Sequence, residues 1–283
     1  HHPSITHLTQ LAEIIENLVS EINIDSSSEF LLSLMYQSGT IFPENQTKCE
    51  KFRQKAADKN HSHAQFTLGK GLDLNLFTRS EIPAQEAAKL DWLNKAVENN
   101  HPRACLVLGN YYKILSRDDL LFTNKLKNAK EAIRLYKKGA KLGDLVCKYH
   151  LFLFYSNNGF NEAIVNARHI YVKDNPITAL KYLKELVRSD LETVTNDILK
   201  KISPKLCDNC YHTKELISQT KKDYEQIKLS SYFWFAKVFE FGHFNHKRNL
   251  TKAMKYYRKA AKGGHIRSQE ILKEAKQRRK RLS

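Results

Sequence analysis

The stretch Ala253-Met254-Lys255-Tyr256-Tyr257-Arg258-Lys259-Ala260-Ala261-Lys262-Gly263-Gly264-His265-Ile266-Arg267-Ser268-Gln269 decides how this chain folds. Ala253, Tyr256, Tyr257, Ala260 and Ala261 recur at the i, i+3, i+4, i+7, i+8 spacing of one apolar helix face. Gly263-Gly264 supplies the left-handed backbone that ends such a helix, and His265 starts a second one. Small residues at Ala260, Ala261 and Ser268 let the two backbones approach closely, leaving the tyrosines to fill the space toward a neighbour. A lone hairpin of this kind cannot bury its own apolar faces, so it has meaning only if it recurs.

It recurs. Trp92, Lys95, Ala96, His101 and Ala104 stand in the places of Tyr256, Lys259, Ala260, His265 and Ser268. Ala56, Asn60, His61, Ala64, Leu68 and Gly69 repeat Ala96, Asn100, His101, Ala104, Leu108 and Gly109. Gly139-Ala140-Lys141-Leu142-Gly143 is a further copy, with Cys147 at the small position. The second half alone reappears at 231–242 and, more faintly, at 28–39.

These copies resemble the Sel1-like repeat, a relative of the tetratricopeptide repeat, whose pattern reads roughly A-x-x-Y-Y-x-K-A-A-x-x-G-H-x-x-A-Q-x-x-L-G. The match at 253–269 is close, those at 88–112 and 49–72 are good, and those at 132–155 and 231–242 are recognisable. The resemblance implies an all-α fold, an α-solenoid of about seven antiparallel helix pairs. It implies binding of other proteins and brings no shared catalytic residues. Lysine- and asparagine-rich members resemble those of intracellular bacterial pathogens, which act as secreted effectors or as regulators of another effector.

Along the chain, Ile5, Leu8, Leu11, Ile14, Ile15, Leu18, Val19 and Ile22 form a helical stripe, and Asp25 to Ser28 form a capped turn before Phe30. The organisation expected is a set of repeats over 5–157, an irregular helical insertion with a divergent repeat over 158–212, and closing repeats with a basic tail over 213–281. Within the insertion, Asn161–Val172 reads as an extra helix and Asn175-Pro176 as the restart of the pattern. His212–Leu229 is expected to pair with Ser230–Phe241, and 249–262 with 265–280.

Composition bounds the function. The net charge is +17, with six basic residues against one Glu between Lys273 and Arg281 and the rest of the excess distributed along the chain. Such a field favours acidic partners: an acidic protein surface, RNA or anionic lipid. No stretch reaches the roughly 18 to 20 uninterrupted apolar residues of a membrane helix, so a soluble monomer is expected. His1-His2-Pro3-Ser4 reads as the end of an expression tag. Five cysteines show no spacing repeated between hairpins, which points to a reducing compartment, the cytoplasm or a host cytosol.

Chemistry-bearing motifs are sparse. Cys207-Asp208-Asn209-Cys210 with His212 is a single CxxC, whereas a structural zinc needs about four ligands. It reads as ordinary loop cysteines, with metal binding or a redox role as alternatives. His61, His101 and His265 recur in phase, which marks a capping or packing task in the first turn of each second helix. No glycine-rich phosphate loop, paired-carboxylate motif or HExxH is present, so no enzyme, no cofactor and no metal are expected.

The candidate binding residues follow from the resemblance, in which the first helix of each pair lines the concave face. Its polar positions include Lys89, Asp91 and Asn94; Lys130, Arg134 and Lys137; Lys181 and Lys184; and Lys252, Lys255 and Arg258. One reading is a solvated face; the other is a basic groove that steers an acidic protein. Tyr232, Trp234 and Phe241 lie off the repeat core face, as either packing residues or an aromatic anchor for a partner. Binding of RNA or anionic membrane through the same basic surface is the alternative function.

Overall fold

The computed structural model describes residues 10–11, 13–18, 25–39, 42–72, 84–118, 122–156, 176–202 and 211–282. Twelve helices are delimited there: α1 (Ser26–Ser38), α2 (Gln46–Asp58), α3 (Ser62–Gly69), α4 (Ala84–Glu98), α5 (Pro102–Asp118), α6 (Phe122–Lys141), α7 (Leu145–Tyr155), α8 (Pro176–Arg188), α9 (Leu191–Ile202), α10 (Tyr211–Phe241), α11 (Leu250–Lys262) and α12 (Ile266–Leu282). Residues 10–11 and 13–18 are also helical, as the apolar stripe there predicts. No strand occurs among the described residues, and the fold is an α-solenoid of the expected class. The expected helix at Asn161–Val172 and the Cys207/Cys210 pair lie outside them.

The repeating unit is defined by its turn. Asn60, Asn100, Gly143 and Gly264 all have positive φ, from 60° to 104°. In each copy the next residue sends its backbone N–H five positions back: His61 to Ala56, His101 to Ala96, Asp144 to Gly139 and His265 to Ala260, at 2.9–3.1 Å. This is the Schellman closure, which satisfies carbonyls the helix end leaves bare. The same residue then caps the second helix. His61 Nδ1 accepts from the N–H of Ala64, His101 Nδ1 from Ala104, Asp144 Oδ1 from Cys147 and His265 Nδ1 from Ser268. The phased histidines are therefore helix caps, and the aspartate of the third copy does the same work.

Close packing explains the small residues. Ala56, Ala96 and Ala260 on the first helices and Ala64, Ala104, Cys147 and Ser268 on the second are fully buried. The apolar core is a succession of local clusters. One joins Phe30, Leu34, Ala56 and Ala64; the next joins Leu93, Ala96, Ala104, Cys105 and Leu108; the next Ala132, Tyr136, Cys147 and Leu151. Each cluster bridges neighbouring helices, as stacked units too small to stand alone require.

One element departs from the expected pairing. Residues 211–241 form a single 31-residue helix in place of a hairpin broken near Leu229-Ser230. No glycine or proline interrupts Lys228-Leu229-Ser230-Ser231, and the Ser231 hydroxyl, instead of capping a new helix, donates within this one to the Ile227 carbonyl at 2.7 Å. The second half of α10 packs with α11 as a repeat helix should, through Ala236, Ala253 and Tyr257. Its first half leaves the array and runs back toward the beginning of the chain, touching α1.

Candidate functional site

Three surfaces qualify for ligand contact, and the first is the exposed side of the first helices. On α6, Lys130, Arg134, Lys137 and Lys141 are all exposed, while Ala132, Leu135, Tyr136 and Ala140 opposite them are buried. On α8, Lys181 and Arg188 are exposed and Lys184 is half-buried, against buried Ala179, Leu183 and Leu186. On α11, Lys252, Lys255, Arg258, Lys259 and Lys262 are exposed, against buried Ala253, Tyr257 and Ala260.

Their pairing differs. Arg134 is held in a two-pronged contact by Glu131, with distances of 2.6–3.0 Å. Lys137 Nζ lies 6.0 Å from the centre of the Tyr155 ring. Lys89 is turned inward, donating to Glu86 at 2.8 Å and to the Gly71 carbonyl at 3.1 Å. Asp91 is exposed and pairs with Lys95 at 2.8 Å, so α4 contributes little net charge. The exposed basic residues are thus carried by α6, α8 and α11.

The second surface is a cavity of about 940 Å³ between the first half of α10 and α1 to α3. Gln37, Arg53, His63 and Lys70 line one wall and Lys214 and Gln219 the other. Beneath it His63 Nδ1 faces His101 Nε2 at 3.1 Å. Because His101 Nδ1 accepts the Ala104 N–H, its proton sits on Nε2 and is donated to His63. Burial, with His63 and Arg103 nearby, holds His101 well below the ordinary imidazole range, so His101 is neutral.

The third is an aromatic pocket of about 310 Å³, walled by Phe152 of α7, by Trp234, Val238 and Phe241 of α10, and by Phe244 just beyond it. Lys237 and His243 also line it. Trp234 is half-buried; its Nε1 donates to the Tyr149 hydroxyl at 3.2 Å and its ring meets Phe152 edge-on. Tyr232 is also half-buried, near Tyr256, with Lys259 Nζ 5.5 Å from its ring centre.

The family model described as the Sel1 repeat matches residues 26–61, 122–144 and 226–265. These three segments are similar to the Sel1 repeat. No curated protein sequence matches it. Among solved structures it is similar to a Sel1 repeat protein from Oxalobacter formigenes, at 20% identity over 83% of this chain and 85% of that one, with a TM-score of 0.42. It is also similar to c5321, a protective antigen of uropathogenic Escherichia coli with an SLR fold. That match has 17% identity, covers 96% of this chain and 60% of the other, and has a TM-score of 0.38. Sel1 repeats mediate protein–protein interaction and are typically a non-enzymatic scaffold.

The described residues contain no group of three or more His, Cys, Asp or Glu placed to hold a metal ion, and no helix long and apolar enough to cross a membrane. The sequence singles out Trp234 and Phe241 as off-face aromatics but not Phe152 and Phe244, which stand with them around one pocket. Nothing in the sequence says that Phe152, a core residue of another repeat, lies beside them.

Proposed function

We propose that this Sel1-like array is a non-enzymatic interaction module that receives an acidic partner protein against the basic side of α6, α8 and α11, acting as a scaffold or by occluding the partner. The observation that carries the reading is the segregation on α6 and α11. Their exposed positions are predominantly Lys and Arg, and apart from Leu250 their apolar residues face inward. A wall with one sign of charge raises the local concentration of an oppositely charged partner and its rate of encounter. Lys181, Lys184, Lys255 and Arg258 belong to this wall, and Tyr232 flanks it through Lys259. Lys89 and Asp91 belong to it by position, with their charges already engaged.

The test is affinity capture from the native source with the wild-type chain and with Arg134→Glu, Lys137→Glu and Lys181→Glu combined. All three side chains lie on helix surfaces, so circular dichroism of the variant should match wild type. Acidic proteins recovered by the wild type and lost by the variant support the reading. Equal recovery removes it. A steep, sequence-independent affinity for a single-stranded oligoribonucleotide would favour the nucleic-acid alternative instead.

A further inference from the structure

We propose that the pocket formed by Phe152, Trp234, Val238, Phe241 and Phe244 receives one large apolar side chain, phenylalanine or leucine, carried on an acidic segment of a partner protein. This goes beyond the basic wall, because the pocket is built by α7, α10 and the turn after α10, and by no residue of α6, α8 or α11.

The pocket has the size and lining of an anchor site. At about 310 Å³ it lies at the small end of ligand sites, with room for a single side chain. Phe152 and Val238 are almost fully buried and form its base, whereas Phe241 is 56% exposed. The indole N–H of Trp234 is already satisfied by Tyr149, so the ring offers its apolar body to an occupant. Aromatic-walled, desolvated pockets of this kind are where interface energy concentrates.

The backbone is specialised at the same place. Gly242, with φ 72°, ends α10, and the His243 N–H closes back onto the Val238 carbonyl at 3.1 Å. Phe244 and Asn245 follow at φ 55° and 60°. A left-handed conformation is rare for a bulky aromatic. It is enforced here by the His246 N–H on the His243 carbonyl and the Asn249 N–H on the Phe239 carbonyl, at 3.1 and 2.8 Å. The strained turn presents Phe244 as a pocket wall.

The surroundings select the sign of the partner. Between 237 and 252 stand Lys237, Lys247, Arg248 and Lys252, against the single carboxylate Glu240. Glu240 is occupied by the Tyr257 hydroxyl at 2.5 Å and by Lys237 at 3.5 Å. Lys237 Nζ also lies 4.7 Å from the centre of the Phe241 ring, at the mouth. Carboxylates flanking the anchor would meet these cations.

Trp234 makes the test direct, since the chain has only two tryptophans. In a Trp92→Phe background, the synthetic peptide DEDFDED is titrated while Trp234 emission and the anisotropy of a fluorescein-labelled copy are followed. Saturable binding is expected, weakened at least tenfold for DEDADED, for KRKFKRK and for the Phe241→Ala protein. The peptide comparisons stand even if a pocket variant misfolds. The proposal is overturned by absent binding or by equal binding of all three peptides. It is also overturned if Phe241 instead governs partition onto phosphatidylserine vesicles or concentration-dependent self-association.

Discussion

Arg103 Nη2, in the first turn of α5, donates to Asp223 Oδ2 on α10 at 2.9 Å across 120 positions of sequence. The same guanidinium lies 3.7 Å from Asp144, the fully buried cap of α7, and 5.6 Å from the centre of the Tyr224 ring. One cation therefore joins two repeats to the first half of the long helix. Asp144 is hydrogen-bonded to the Cys147 N–H and approached by the Tyr224 hydroxyl at 3.4 Å.

Removing the cation should cost more than removing its outer partner. Arg103→Met leaves Asp144 buried without a counter-charge, and a loss of about 3–5 kcal/mol is expected. Asp223 is about a third exposed, so Asp223→Asn should cost no more than about 1 kcal/mol. Urea denaturation of the two variants separates these values. Equal losses would show that Asp144 does not depend on Arg103.

Acid should unfold the protein through its buried imidazoles. Burial pushes His61 down to about 4, opposed by Asp25, and His150 down to about 3, with Lys113 acting in the same direction. His101 is lowered further by His63, Arg103 and His61. These groups stay neutral in the fold while the unfolded chain takes up protons below about pH 6.5. Their stabilisation is complete above that pH and declines toward pH 4, by up to roughly 1.4 kcal/mol per pH unit for each group. Melting temperature measured from pH 7 to 4 should fall accordingly. His101→Asn keeps a cap acceptor and should flatten the slope.

The third hairpin should not tolerate a methyl group at its closest approach. A Cβ on Gly139 would sit 2.5 Å from Cys147 Sγ and 3.2 Å from Cys105 Cβ. Gly139→Ala is expected to destabilise by about 1–3 kcal/mol despite the better helix propensity of alanine. Adding Cys147→Ala removes the sulfur and should recover part of the loss, which a double-mutant cycle in urea measures.

Three thiols should be inert in the native state. Cys49, Cys105 and Cys147 are fully buried, and burial raises all three, Cys105 to about 11 and Cys147 well above its ordinary value. Iodoacetamide at neutral pH followed by peptide mapping should leave them unmodified. Labelling should become complete in concentrated urea. Rapid native labelling of Cys105 or Cys147 would mean that the second helices open readily.

The repeat was legible from residue types because its determinants are local. Ala56, Ala96, Gly139 and Ala260 are small where helices touch. Asn60, Asn100, Gly143 and Gly264 tolerate a left-handed turn, and His61, His101, Asp144 and His265 each cap the helix that follows within three residues. Spacing within about twenty residues suffices to recognise such a unit, so the solenoid class and the basic first helices could be read directly. The course of α10 could not. Residues 211–229 have ordinary helical composition, and where they lie is set by partners far away in the chain: Arg103 for Asp223 and Asp144 for Tyr224. The aromatic pocket is likewise a tertiary fact. Phe152 and Phe244 become neighbours of Trp234 only because α7 and α10 pack side by side, and no local pattern encodes which repeats meet.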